Sequence, residues 1–236
     1  MNVSDVLNRL KDLGDPQTLK TFKNHGAPEN CYGVKIGLLK TNLLKEVKKN
    51  HELCLALFAT GNTDAQYLAG LGIDPKKMKK SDIILWLNQS NWTAIDETIV
   101  AGVASESLFA VELANEWLND PEARVQNVGW LTYGKYLSIA PNEEVSKHEI
   151  EELLRRIQRE IHDAPNLIRH SMNQFIIYVG SYYPELTELA LEVASEIKDV
   201  EITLPTKGCK LPDPAVKIQK LIDKNRLGVK RKKVIC

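Results

Sequence analysis

Apolar residues return every three or four positions along most of this chain. Between Ser146 and Asp163, the residues Ile150, Leu153, Leu154, Ile157 and Ile161 share one face at the 3.6-residue period. Leu186, Leu189, Ala190, Val193 and Ile197 make a second such stripe, and Leu39, Leu43, Leu44 and Val47 a third. Asp-Pro pairs at Asp15-Pro16, Asp74-Pro75, Asp120-Pro121 and Asp213-Pro214 punctuate the stripes. In such a pair the carboxylate caps a helix whose first position the proline occupies. Ser146 and Glu149 have the spacing of a capping box. Pro141, Pro165 and Pro184 mark further breaks, and Tyr182-Tyr183 ends a helix before Pro184.

These patterns predict helices near 3–13, 15–24, 37–48, 51–59, 62–71, 80–89, 91–104, 106–118, 121–139, 146–162, 165–182, 184–197 and 213–225. Val200-Glu201-Ile202-Thr203-Leu204 reads as a single short strand. Many helices with short connections, recurring in pairs at roughly 40 residues, predict an all-α fold. The expected form is an α-solenoid, a superhelix of HEAT-like antiparallel helix pairs. Residues 1–204 are expected to form the solenoid. Residues 205–236 would be a basic segment with one helix, packed on it or extending it.

The chain has 236 residues, 43% of them apolar, enough to bury a normal core. Its apolar runs are far shorter than the roughly 20 residues that cross a membrane, and its first residues lack a signal-peptide pattern. A cytoplasmic protein, in no membrane and favoured as a monomer, is expected. Cys31, Cys54, Cys209 and Cys236 have no metal-ligand spacing, so free thiols and no metal are expected. The formal net charge of zero hides an asymmetry. Residues 205–236 carry ten Lys and Arg against two Asp and Glu, and the rest of the chain is acidic by the same margin. A basic arm of this kind is either a solvated tail or a contact for nucleic acid.

Nucleotide, zinc-protease and hydrolase signatures are missing. Gly70-Leu71-Gly72 reads as a helix end, and five scattered histidines offer no partnered base. Trp86, Trp117 and Trp130 sit among apolar residues and read as core. One segment differs. On a helix, Trp92 and Asp96 are i,i+4 neighbours, and projection at 100° per residue puts Asp96 among Ile95, Ile99, Val100 and Val103. A carboxylate on an apolar face is paired, neutralised or open to a cleft. Asp96 is therefore a site candidate, or it caps or pairs with a neighbouring helix; on the residues alone the second carries more weight.

Trp92-x-x-x-Asp96 resembles the motif of the AlkD-type DNA alkylation-repair glycosylases. Tyr32-Gly33-Val34-Lys35 resembles the start of an early helix in that family. Cys209-Lys210-Leu211-Pro212-Asp213-Pro214-Ala215 and Gly228-Val229-Lys230-Arg231-Lys232-Lys233 are similar to its tail. The resemblance spans nearly the whole chain. It implies a HEAT-like solenoid gripping duplex DNA on its concave face and excising N3- and N7-alkylated purines without a cofactor. Asp96 would stabilise the oxocarbenium charge and orient water, and Trp92 would pack on the deoxyribose. Two positions depart from the family. Asn127 stands where a phosphate-binding arginine is found, with Arg124 one turn earlier. Gln174 replaces a second cleft tryptophan, unless Trp130 or Phe175 supplies that aromatic.

The expected DNA contacts are Lys35, the cluster Lys76, Lys77, Lys79 and Lys80, then Arg124, Asn127, Arg169, Gln174, and the tail residues Lys230, Arg231, Lys232 and Lys233. Arg155, Arg156 and Arg159 are read instead as ion pairs with nearby glutamates. Three functions follow, in this order. The first is a DNA N-glycosylase. The second is a non-catalytic binder of damaged or branched DNA, and the third is a protein-binding scaffold.

Overall fold

A computed structural model describes residues 1–203 and 211–235. Among these residues the regular elements are all helical. Besides 3-10 turns at Pro75–Lys77, Asn142–Glu144 and Pro184–Leu186, they are in order α1 Val3–Asp12, α2 Pro16–Asn24, α3 Ile36–Asn42, α4 Leu44–Val47, α5 His51–Ala59, α6 Thr63–Gly72, α7 Lys80–Gln89, α8 Thr93–Ile95, a π turn Asp96–Val100, α9 Ala101–Glu106, α10 Ala110–Leu118, α11 Ala123–Leu137, α12 Lys147–Glu160, α13 Asn166–Tyr182, α14 Thr187–Ile197 and α15 Pro214–Ile222. The expected strand is not formed: residues 200–203 run without ladder partners, and Leu204 lies outside the described residues. Val200 packs against the helical core of the second unit instead.

The caps explain most of the boundaries. Asp15 accepts from the Thr18 amide, Asp74 from Lys76 and Asp213 from Val216, each with proline at the next position. Asp120 instead accepts from the Glu122 amide in the turn before α11. The capping box on α12 forms only by half. Ser146 accepts from the Glu149 amide, but the Glu149 carboxylate accepts from the Tyr133 hydroxyl at 2.8 Å and from Asn115. A phenol within reach takes the carboxylate into the helix packing, and burial with that hydrogen bond pushes the Tyr133 pKa far up.

The chain forms two compact units dividing at Leu108. The first, Met1–Leu108, buries Leu10, Leu39, Leu57, Phe58, Leu68, Ile83, Trp86, Ile95 and Ile99. Phe58 and Trp86 stack there at 4.1 Å between centroids. The second begins at Phe109 and includes the C-terminal stretch to Val234. Its core joins Trp130, Tyr133, Leu154, Ile157, Phe175, Ile176 and Val193 with Ile218 of α15. Because Ile218 is part of that core, residues 211–234 cannot be separated from the second unit. The Gly228 amide donates to the Ser181 carbonyl and the Arg231 amide to Ser138, which tie the last residues down further.

Candidate nucleic-acid interface

In the first unit, Asp64 organises the chain leading into α3. Its carboxylate accepts from the Tyr32, Gly33 and Val34 amides at 2.6, 3.2 and 2.8 Å, and the Cys31 thiol lies 3.6 Å away. Burial and the Asp64 charge push the Cys31 thiol up to about 11. Gly33 takes φ +75°, and a Cβ there would meet the Leu19 backbone nitrogen at 2.5 Å. No other residue fits that crossing. The Tyr32–Lys35 motif is thereby held rigid, with Lys35 exposed at the head of α3 and 3.6 Å from Asp15.

Trp92 precedes α8 in an extended conformation. Its indole N–H donates to the His25 carbonyl at 2.8 Å, and its ring lies 5.4 Å from that of Phe22. Asp96 opens the π turn, whose wide closure runs from the Ala101 amide back to the Asp96 carbonyl. Such turns re-aim side chains within a helix and recur at functional sites. Here Asp96 is only 1% exposed. Gly70 of α6 permits the arrangement, since a Cβ at that position would meet Ile99 of the π turn at 2.2 Å.

Beside Trp92 lies a cavity of about 190 Å³, lined by Phe22, Val34, Ile36, Leu39, Tyr67 and Trp92, with Thr63, Asp64, Ala94 and Thr98 completing it. Sequence reading missed both this cavity and Asp64. The available signal was an acidic residue next to Ala65, Leu68 and Ala69, which are all buried.

The expected DNA contacts separate into groups. Lys76, Lys77 and Lys79 are exposed, Lys77 pairing with Asp74 at 3.7 Å, and Lys80 is half-buried at the start of α7. Lys79 and Lys80 stand where the helix dipole disfavours cations, so helix stability does not account for them. Arg231, Lys232 and Lys233 are exposed. Arg124 and Gln174 are half-buried.

Three of these side chains are engaged within the fold. Asn127 is 0% exposed inside α11. The Arg169 guanidinium donates to the carbonyls of Ala164, Glu201 and His162, which close the chain ends around α13. The Lys230 ammonium donates to the Leu137 and Tyr182 carbonyls at 2.7 and 2.8 Å. Nor does either alternative aromatic replace the missing tryptophan: Trp130 and Phe175 are fully buried, edge to face at 5.2 Å. Trp86 and Trp117 are core as expected. Arg156 pairs with Glu160, while Arg155 reaches Glu192 on α14 rather than a glutamate of its own helix.

No metal-binding group of acidic, His or Cys side chains and no helix long and apolar enough to cross a membrane occurs among the described residues. Cys31 and Cys54 are free and buried, while Cys209, Lys210 and Cys236 lie outside the described residues.

Comparison with known proteins agrees with this all-α architecture. Uncharacterized proteins of Listeria innocua and Listeria monocytogenes are each 33% identical over 216 residues, covering 89% of this chain and 93% of theirs. A solved structure from a family related to the HEAT-like repeat DNA glycosylases, with affinity for branched DNA structures, superposes with a TM-score of 0.91 at 34% identity and full coverage of both chains. Residues 6–204 match the profile of the DNA alkylation repair enzymes, and the chain belongs to that family.

Proposed function

We propose that this protein binds branched DNA and leaves the glycosidic bond intact. The carrying observation is the burial of Asp96. Excision of an alkylated purine by the expected route needs a carboxylate facing the sugar as positive charge develops at C1′. At 1% exposure Asp96 has no face to offer. The other elements of an excision cleft point the same way. The position of the second tryptophan holds Gln174, and Asn127 is buried where a phosphate-binding arginine is expected.

What remains suits binding. Lys35, Lys76, Lys77 and Lys79 are exposed cations in the first unit, and Arg231, Lys232 and Lys233 in the second. Phosphate neutralisation by such groups gives affinity that falls as salt rises. The relative of known structure, similar over its whole length, belongs to a family with affinity for branched DNA.

Two measurements made together test the reading. Electrophoretic retardation should favour a four-way junction over a duplex of equal length and weaken with salt. Single-turnover incubation with methylated DNA at large protein excess should release no 7-methylguanine. Release that Asp96→Asn abolishes would restore the glycosylase reading. Absence of retardation at low salt would end the DNA-binding one.

A further inference from the structure

We propose that the cavity beside Trp92 is a pocket for one unpaired nucleobase presented by a DNA branch. The proposal rests on the DNA-binding reading above and adds to it a base-contacting site. At about 190 Å³ the space exceeds the ~150 Å³ in which an apolar protein cavity admits benzene, so a planar heteroaromatic ring fits by size. Phe22, Tyr67 and Trp92 supply aromatic walls, and Val34, Ile36 and Leu39 complete an apolar lining. Every base has a π face that such walls can bury.

The pocket is rigid before any ligand arrives. The indole is anchored to the His25 carbonyl, and Val34 follows two amides held by Asp64. Both Asp64 oxygens are occupied by backbone amides, so the carboxylate does not present unshared negative charge to a base.

A second observation points independently to a ligand. The Thr63 side chain lines the cavity, is 2% exposed, and its hydroxyl has no hydrogen-bond partner. A buried hydroxyl without a partner is costly. A base edge carries both donors and acceptors, and a hydroxyl can pair with either. The mouth has matching chemistry. Ile36 is 39% exposed at the rim, and Lys35 stands between two lining residues, Val34 and Ile36. Its pairing with Asp15 at 3.6 Å is exposed on the lysine side, and such a surface pair exchanges readily for phosphate. A base in the cavity would bring its own phosphate to this ammonium.

The test uses the full chain and a three-way junction carrying one unpaired nucleotide at the branch. Replacing that nucleotide by an abasic residue should weaken binding about tenfold. Ala94→Leu, which fills the cavity from its rim, should bind both junctions equally and at the weaker level. Thr63→Val removes only the unmet hydroxyl, so it should fold at least as well as the parent and still lose part of the preference for the base. Photocrosslinking from 5-iododeoxyuridine at the unpaired position should map to Phe22, Tyr67 or Trp92. Equal affinity for the base-bearing and abasic junctions in the parent chain, or crosslinks confined to other peptides, overturns the pocket and leaves branched-DNA binding standing. Loss of all junction binding by the parent chain would overturn both.

Discussion

Asp64 gathers several donors onto one buried side chain. Three backbone amides converge on it, and they belong to the segment that fixes Val34 and Lys35. Asp64→Asn keeps the size and removes one acceptor, so an NH₂ would face amides that also donate. The expected loss is about 3 kcal/mol, read as a lowered urea midpoint. A loss near zero would mean that the segment is held by other contacts. Gly33→Ala should also destabilise, because it combines a positive φ with a Cβ against the Leu19 backbone; about 1 kcal/mol or more is expected from the conformation alone. At this scale the sequence was half legible. The projection that put Asp96 on an apolar face was correct, since that side chain is buried. Asp64 escaped notice because an acid in the first turn of a helix is ordinarily explained by the dipole. Arg169 and Lys230 read as free cations because nothing in a charge count reveals carbonyls left at converging chain ends.

Helices were the most legible elements, because the 3.6-residue stripe and the Asp-Pro caps are written in neighbouring residues. The π turn was not, since one widened turn changes no residue type. The strand failed because a short apolar run finds helices to pack on as readily as a ladder. Where helices end, one residue gives a pH-dependent prediction. Lys230 meets the last carbonyls of both α11 and α13. Burial pulls its pKa from 10.5 down to about 8, with Glu143 opposing. Below pH 8 both folded and unfolded chains hold the proton. Between about 8 and 10.5 the unfolded chain keeps a proton that the folded chain has released, so rising pH favours folding through this group. The urea midpoint of the parent chain should therefore gain on that of Lys230→Met between pH 7 and pH 10. A constant difference across that range would show that Lys230 titrates alike in both states.

Charge is the property that belongs to the whole molecule. The sequence shows a neutral chain with a basic end, and that much was legible at once. What the count could not show is that the basic end is tied to the second unit, with Lys217, Lys220, Lys224, Arg226, Arg231, Lys232 and Lys233 among its exposed cations. A neutral protein draws little on long-range attraction to DNA, so its grip has to come from local clusters. Each phosphate neutralised releases counterions and steepens the salt dependence by close to one unit on a log–log plot. Lys76, Lys77 and Lys79 together changed to Gln should therefore flatten the slope for junction binding by about two to three units, and Arg231, Lys232 and Lys233 changed likewise should do the same if both units meet one DNA. Fluorescence anisotropy across a salt series gives all three slopes. If only one triple variant flattens the slope, DNA lies against one unit alone. If neither does, phosphate is held by other cations, and the lysines that offend the α7 dipole need another explanation.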